Sequence, residues 1–128
     1  MATPEGAVKR DIKKYLATLP RCWFYMPVQN GMGMAGIPDI VACIDGRFVG
    51  IECKAPGRGH TVTSLQENAL SGIQGAGGVS MVAESVEVVR AALVVMGLAP
   101  TNIPARQANK RVDRKTPRRY IEQADEAA

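Results

Sequence analysis

Gly36-Ile37-Pro38-Asp39-Ile40-Val41-Ala42-Cys43-Ile44-Asp45-Gly46-Arg47-Phe48-Val49-Gly50-Ile51-Glu52-Cys53-Lys54 is two short β-branched runs joined by Asp45-Gly46. Asp-Gly between apolar runs is the strongest short-range hairpin signal a sequence carries. With Asp45-Gly46 as a two-residue turn, Ile44 faces Arg47 and the register carries Asp39 to a place opposite Glu52. Side chains so opposed have Cβ atoms about 4.5–5.5 Å apart, where two carboxylates repel each other. The pair becomes sensible if a cation stands between them, since hard divalent ions take carboxylate oxygens. Lys54, two residues beyond Glu52, projects from the same face. The hairpin predicts two acids and one amine converging on one point. The plain alternative is an Asp that opens a strand and a solvated Glu–Lys pair. Against it, both acids stand at strand ends in an otherwise apolar hairpin. The loop that follows, Ala55-Pro56-Gly57-Arg58-Gly59-His60, also leaves that end of the sheet open to a ligand.

Upstream, Thr3-Pro4-Glu5 has the chemistry of a helix start: a hydroxyl cap, proline at the first helical position and an acid in the first turn. Val8, Ile12, Tyr15, Leu16 and Leu19 follow at helical spacing as the buried stripe, and Lys9, Arg10, Lys13 and Lys14 fill another face. Glu5 falls on the apolar side. Two readings stand for it: a partner of the helix dipole, worth about 0.3–1 kcal/mol, or a third acid aimed at the hairpin's acids. Leu19-Pro20 ends the helix, and Cys22-Trp23-Phe24-Tyr25-Met26 reads as a strand. The glycine-bearing segment Gln29 to Gly36 has no Gly-Lys-Ser/Thr and starts no helix, so it is not a P-loop. Its glycines suit a tight turn or close backbone approach beside Asp39. Asn30, within it, is a loop-structuring residue or a phosphate contact.

Downstream, Thr63-Ser64-Leu65-Gln66 can form a capping box opening a helix with Leu65, Ala69, Leu70 and Ile73 on its inner side and Gly75-Ala76-Gly77-Gly78 as its end. Val79 to Ala83 reads as a strand. Ser85 caps a last helix with Val86, Val89, Leu93 and Met96 as core residues and Gly97 as terminator. The order is α-β-β-β-α-β-α: an α/β fold with a small mixed central sheet flanked by helices.

The chain of 128 residues suits one domain with an ordinary core. No run approaches the roughly 18 apolar residues of a membrane span, and the first residues do not read as a signal peptide. Three cysteines without metal-finger spacing are expected to be reduced thiols of a cytoplasmic protein. Net charge is +4, and its placement is uneven: residues 1–97 hold nine Lys/Arg against eight Asp/Glu, residues 98–128 seven against four. All seven bases of the latter lie between Arg106 and Arg119, so residues 98–128 are expected to be a flexible basic tail suited to a polyanion.

Pro38-Asp39, twelve intervening residues, then Glu52-Cys53-Lys54 resembles the signature of the PD-(D/E)xK nuclease superfamily, the restriction-endonuclease-like fold. Within it the chain is similar to the VRR-NUC family. Glu5 in the first helix, Asn30-Gly31, Gly36-Ile37-Pro38-Asp39, Gly50-Ile51-Glu52-Cys53-Lys54 and Gln66 follow in the family's order, over roughly residues 3–97. The resemblance implies that Asp39, Glu52 and the backbone carbonyl of Cys53 hold Mg²⁺ or Mn²⁺, with Glu5 helping directly or through water. Lys54 would position or deprotonate the attacking water, and Gln66 would orient Lys54 or that water, in competition with its capping role. Cys53 stands where such families often carry an apolar residue, which is tolerable if only its carbonyl is used.

The resemblance further implies a metal-dependent DNA endonuclease leaving 5′-phosphate and 3′-hydroxyl ends. Family members this short are similar to homodimeric phage and bacterial enzymes that cut branched DNA such as four-way junctions, so the expected setting is a bacterial or phage-infected cytoplasm. Lys9, Lys13, Asn30, Arg58 and His60 are the expected nucleic-acid contacts. Three alternatives remain: a DNA-binding module that does not cut, a nicking or restriction-like enzyme on linear duplex, and an RNA binder driven by the basic tail.

Overall fold

Thr3 caps the first helix by accepting a hydrogen bond from the Gly6 N–H at 2.9 Å, and Pro4 takes the first helical position. Helix α1 runs Pro4–Thr18, followed by strand β1 (Cys22–Tyr25). Strands β2 (Ile40–Ile44) and β3 (Arg47–Cys53) form the expected hairpin. Asp45 and Gly46 carry φ values of 50° and 82°, the pair of left-handed residues that lets a two-residue turn match the twist of its strands. The ladder pairs Ile44 with Arg47 and Ile40 with Ile51, so the predicted register holds and its next step sets Asp39 against Glu52. Helix α2 (Ser64–Gly75), strand β4 (Val79–Ala83) and helix α3 (Val86–Val95) complete the α-β-β-β-α-β-α order. This computed structural model describes residues 3–29 and 33–101.

The sheet has the order β1-β2-β3-β4, with β3 antiparallel to β2 and parallel to β4, and is therefore mixed. Its inner face presents Ile40, Ala42, Ile44, Val49, Ile51 and Cys53, which pack with Val8, Ile12, Leu16, Val89 and Leu93 of α1 and α3 into one core. Helix α2 crosses the other face over β3 and β4. At Gly50 a Cβ would come within 2.7 Å of the Ile73 side chain, so the missing side chain is what lets α2 lie flush on β3.

Three packing expectations change. Leu65 is 55% exposed and not on the inner side of α2, because that helix covers the β3 and β4 side of the face and Leu65 lies beyond it over a groove. Met96 is 47% exposed, since α3 has already ended at Val95 and Gly97 turns the chain with φ 73°. Leu98 and Ala99 pack on the core, where the sequence suggests the tail has begun, because the turn at Gly97 folds them back. The basic run from Arg106 to Arg119 lies outside the described residues, as does Asn30. Among the described residues no helix is long and apolar enough to cross a membrane.

Candidate active site

The open end of the hairpin gathers four of the residues singled out in the sequence. Asp39 is delivered by a braced loop. Gly36 has φ 80°, and a Cβ on it would overlap the Leu65 backbone at 2.4 Å, so the loop rests directly on the first turn of α2. Gln29 Nε2 donates to the Ile37 carbonyl at 3.0 Å from the other side. The Asp39 carboxylate then accepts the Cys53 N–H through Oδ2 at 2.8 Å, tying the start of β2 to the end of β3.

Glu52 is 3% exposed. Its Oε2 accepts a hydrogen bond from Gln66 Nε2 at 3.1 Å and lies 3.9 Å from the Lys54 ammonium. Its Oε1 is buried with no hydrogen-bond partner among the described residues. Burial and the adjoining Asp39 carboxylate push the Glu52 carboxyl up to about 8, with Lys54 pulling the other way. Two adjoining carboxyl groups cannot both carry full charge in a low-dielectric site without a counter-charge. An orphaned buried oxygen beside a second carboxylate is a hard-oxygen donor set that fits Mg²⁺ or Mn²⁺.

Gln66 closes the capping box and at the same time contacts Lys54 and Glu52. Its Oε1 accepts from the Thr63 N–H at 2.9 Å and from Lys54 Nζ at 3.2 Å, while its Nε2 serves Glu52. The Thr63 hydroxyl accepts the Gln66 N–H in return at 3.2 Å, completing the capping box. The first turn of α2 is thereby the clamp that holds Lys54, only 12% exposed, against Glu52.

Glu5 and Lys9 approach from α1. Lys9 Nζ lies 3.2 Å from Glu5 Oε2 and 3.5 Å from Asp39 Oδ1. Burial opposes the Lys9 charge, but Asp39 and Glu5 outweigh it and raise the ammonium's pKa. Lys9, expected to contact DNA, is thus placed among the acids. Glu5 is engaged by Lys9, and among the described residues no three His, Cys, Asp or Glu side chains come together as a metal-holding group. Among the described residues the pair Asp39–Glu52 is not joined by a third His, Cys, Asp or Glu side chain as a group.

Lys13 is exposed one turn further along α1, and Arg58 and His60 are exposed on the loop after Lys54. Sequence reasoning missed the residue that shapes that loop. Glu84, just past β4, accepts the N–H groups of Gly57 and Gly59, the latter at 3.1 Å, and a Cβ on Gly59 would collide with its carboxylate. A lone acid after a strand followed by loop glycines far away in sequence carries no local signal. Cys22 is half-buried, Cys43 exposed and Cys53 buried, all as free thiols; burial pushes Cys22 and Cys53 up to about 12. Neither is a poised nucleophile.

On the side of the sheet that α2 leaves bare, Trp23, Tyr25 and Phe48 are about half exposed. A groove of about 770 Å³ lined by Tyr25, Met34, Phe48 and Leu65 runs from there to Pro38, next to Asp39. Comparison of the chain with models of protein families, with curated proteins and with solved structures finds no match.

Proposed function

We propose that this chain is a divalent-metal-dependent DNA endonuclease of the PD-(D/E)xK kind, similar to the VRR-NUC family, acting on branched DNA as a homodimer. The observation that carries the reading is the interlock of Asp39, Glu52, Lys54 and Gln66: two carboxyls, one of them 3% exposed with an orphaned oxygen, and an amine pinned beside them by a helix cap. A domain selected only to fold gains nothing from burying an acid against another acid, because an unpaired buried charge is among the costliest features a core can hold.

Asp39, Glu52 and the Cys53 carbonyl are the groups that would hold Mg²⁺ or Mn²⁺, with Glu5 reached directly or through water. The ion, when bound, makes a water more acidic and offsets charge on the phosphate. Gln66 fixes the direction of the Lys54 ammonium, which orients the attacking water and donates to the phosphate oxygens as negative charge grows on them. The Glu84-held loop presents Arg58 and His60 to the nucleic-acid backbone. The bare aromatic face with Trp23, Tyr25 and Phe48 is apolar surface available to a second copy, and two sites related by a dyad suit two symmetric strand cuts.

The test is a cleavage panel of four-way junction, flap, single-strand and linear duplex DNA in Mg²⁺, Mn²⁺, Ca²⁺ and chelator. Junction cutting in Mg²⁺ or Mn²⁺, lost in chelator and in Asp39→Asn and Glu52→Gln, supports the proposal. Binding without cutting under every condition would favour the non-cleaving module.

A further inference from the structure

Lys9 occupies a place that neither helix packing nor a DNA-facing role requires. Its ammonium lies 3.2 Å from Glu5 Oε2 and 3.5 Å from Asp39 Oδ1, with the side chain 27% exposed. Asp39 spends its other oxygen on the Cys53 N–H. The oxygen beside Lys9, Oδ1, is the one that carries no backbone hydrogen bond and stands most open to another cation. The remaining titratable groups of the cluster are Glu52, whose Oε1 has no partner among the described residues, and Lys54, which Gln66 keeps on the Glu52 side.

We propose that Lys9 is the built-in counter-ion of the metal-free site, and that a divalent cation must displace its ammonium to bind. The inference rests on the nuclease reading and adds a regulatory element to it. With no ion present, Lys9 offsets the repulsion between Glu5 and Asp39, so the fold tolerates those acids before loading. An ion bound through Asp39 Oδ1 competes for the atom the ammonium holds, so the cost of displacing the ammonium is taken from the ion's binding free energy. Lys9 thereby weakens metal affinity and sets the free-metal level at which the site fills.

Two measurements on the full chain test this. In the first, Mn²⁺ binding is followed by calorimetry for the parent, Lys9→Met, Lys9→Gln and, as a control on the same helix, Lys13→Met. The Lys9 variants are expected to bind about tenfold tighter, the equivalent of releasing two partly exposed ion contacts, and Lys13→Met to match the parent. In the second, the parent is labelled with acetic anhydride with and without Mn²⁺ and its lysines are read by mass spectrometry. Labelling of Lys9 is expected to rise with Mn²⁺ while that of Lys13 stays constant.

Parent uptake with equal or weaker affinity in both Lys9 variants overturns this inference and leaves the nuclease reading standing. So does Lys9 labelling that is unchanged or reduced by Mn²⁺ in a parent that binds it. Uptake by the Lys9 variants alone supports it. Absence of uptake in parent and variants alike overturns the nuclease reading and this inference with it.

Discussion

The carboxylate of Asp39 accepts the backbone N–H of Cys53 at 2.8 Å, so a side chain continues the hairpin where ladder pairing stops. That bond fixes where the second Asp39 oxygen points and couples the position of one acid to the strand that carries the other. Geometry at the site is therefore a property of the hairpin's register, and disturbing either strand end moves both acids.

On the proposed nuclease reading, replacing the acids separates catalysis from folding. Asp39→Asn and Glu52→Gln keep the side-chain shapes and remove the charges that a divalent ion needs. Cleavage of the best DNA substrate is expected to fall by at least about 100-fold in each. Glu52→Gln is also expected to be as stable as the parent or more so, because it removes a buried ionisable group. Rate measurements paired with thermal denaturation check both halves.

Glu52 gives the metal-free protein a pH-dependent stability of defined sign. In the unfolded chain its carboxyl loses its proton near the ordinary value of 4.5, whereas in the fold burial and Asp39 hold it up to about 8. Between those values the folded state binds a proton that the unfolded state has released, so stability falls as pH rises. The melting temperature in chelator is expected to decline from about pH 5 to about pH 8, beyond which this contribution is constant. Glu52→Gln flattens the decline. Adding Mn²⁺ at pH 8 recovers stability in the parent and not in that variant.

Gln66→Ala removes half of a capping box and the only hydrogen-bond acceptor recorded for Lys54 among the described residues. Loss of the cap is expected to cost about 1 kcal/mol in denaturant unfolding. The cleavage rate falls as well, because Lys54 is freed to sample other directions. Thr63→Ala breaks the other half of the box and leaves Gln66 its bonds to Lys54 and Glu52. It should show a similar loss of stability with a smaller loss of rate.

Gly36→Ala tests the loop brace. The position has a left-handed backbone, and the added methyl would press on the Leu65 carbonyl. A cost of about 1–3 kcal/mol is expected, together with reduced cleavage as the loop carrying Asp39 backs away from α2. Gly46→Ala has open space around it and strains only its turn, so it should spare the rate. Stopped-assay rates and urea denaturation on the two variants decide the comparison.

Much of the architecture was legible in short-range signals. Asp45-Gly46 fixed the hairpin and its register, the Thr3, Thr63 and Ser85 caps placed three helix starts, and Gly97 placed a helix end. These signals work because turns and caps are settled by atoms within three or four residues of each other. Burial along α2 was less legible: apolar spacing marks a face but not how much sheet lies beneath it, and Leu65 was left over a groove.

The sequence by itself determined that Asp39 stands against Glu52 with Lys54 nearby, since strand periodicity and a two-residue turn put these positions on facing strand ends. Tertiary structure alone decided that Gln66 joins Lys54 to Glu52, that Lys9 sits on Glu5 and Asp39, and that Glu84 holds Gly57 and Gly59. These contacts join separate elements, and their partners are chosen by how α1, α2 and the end of β4 pack around the sheet. A side chain's reach is local, but its neighbours across the core are set only once the whole chain has folded.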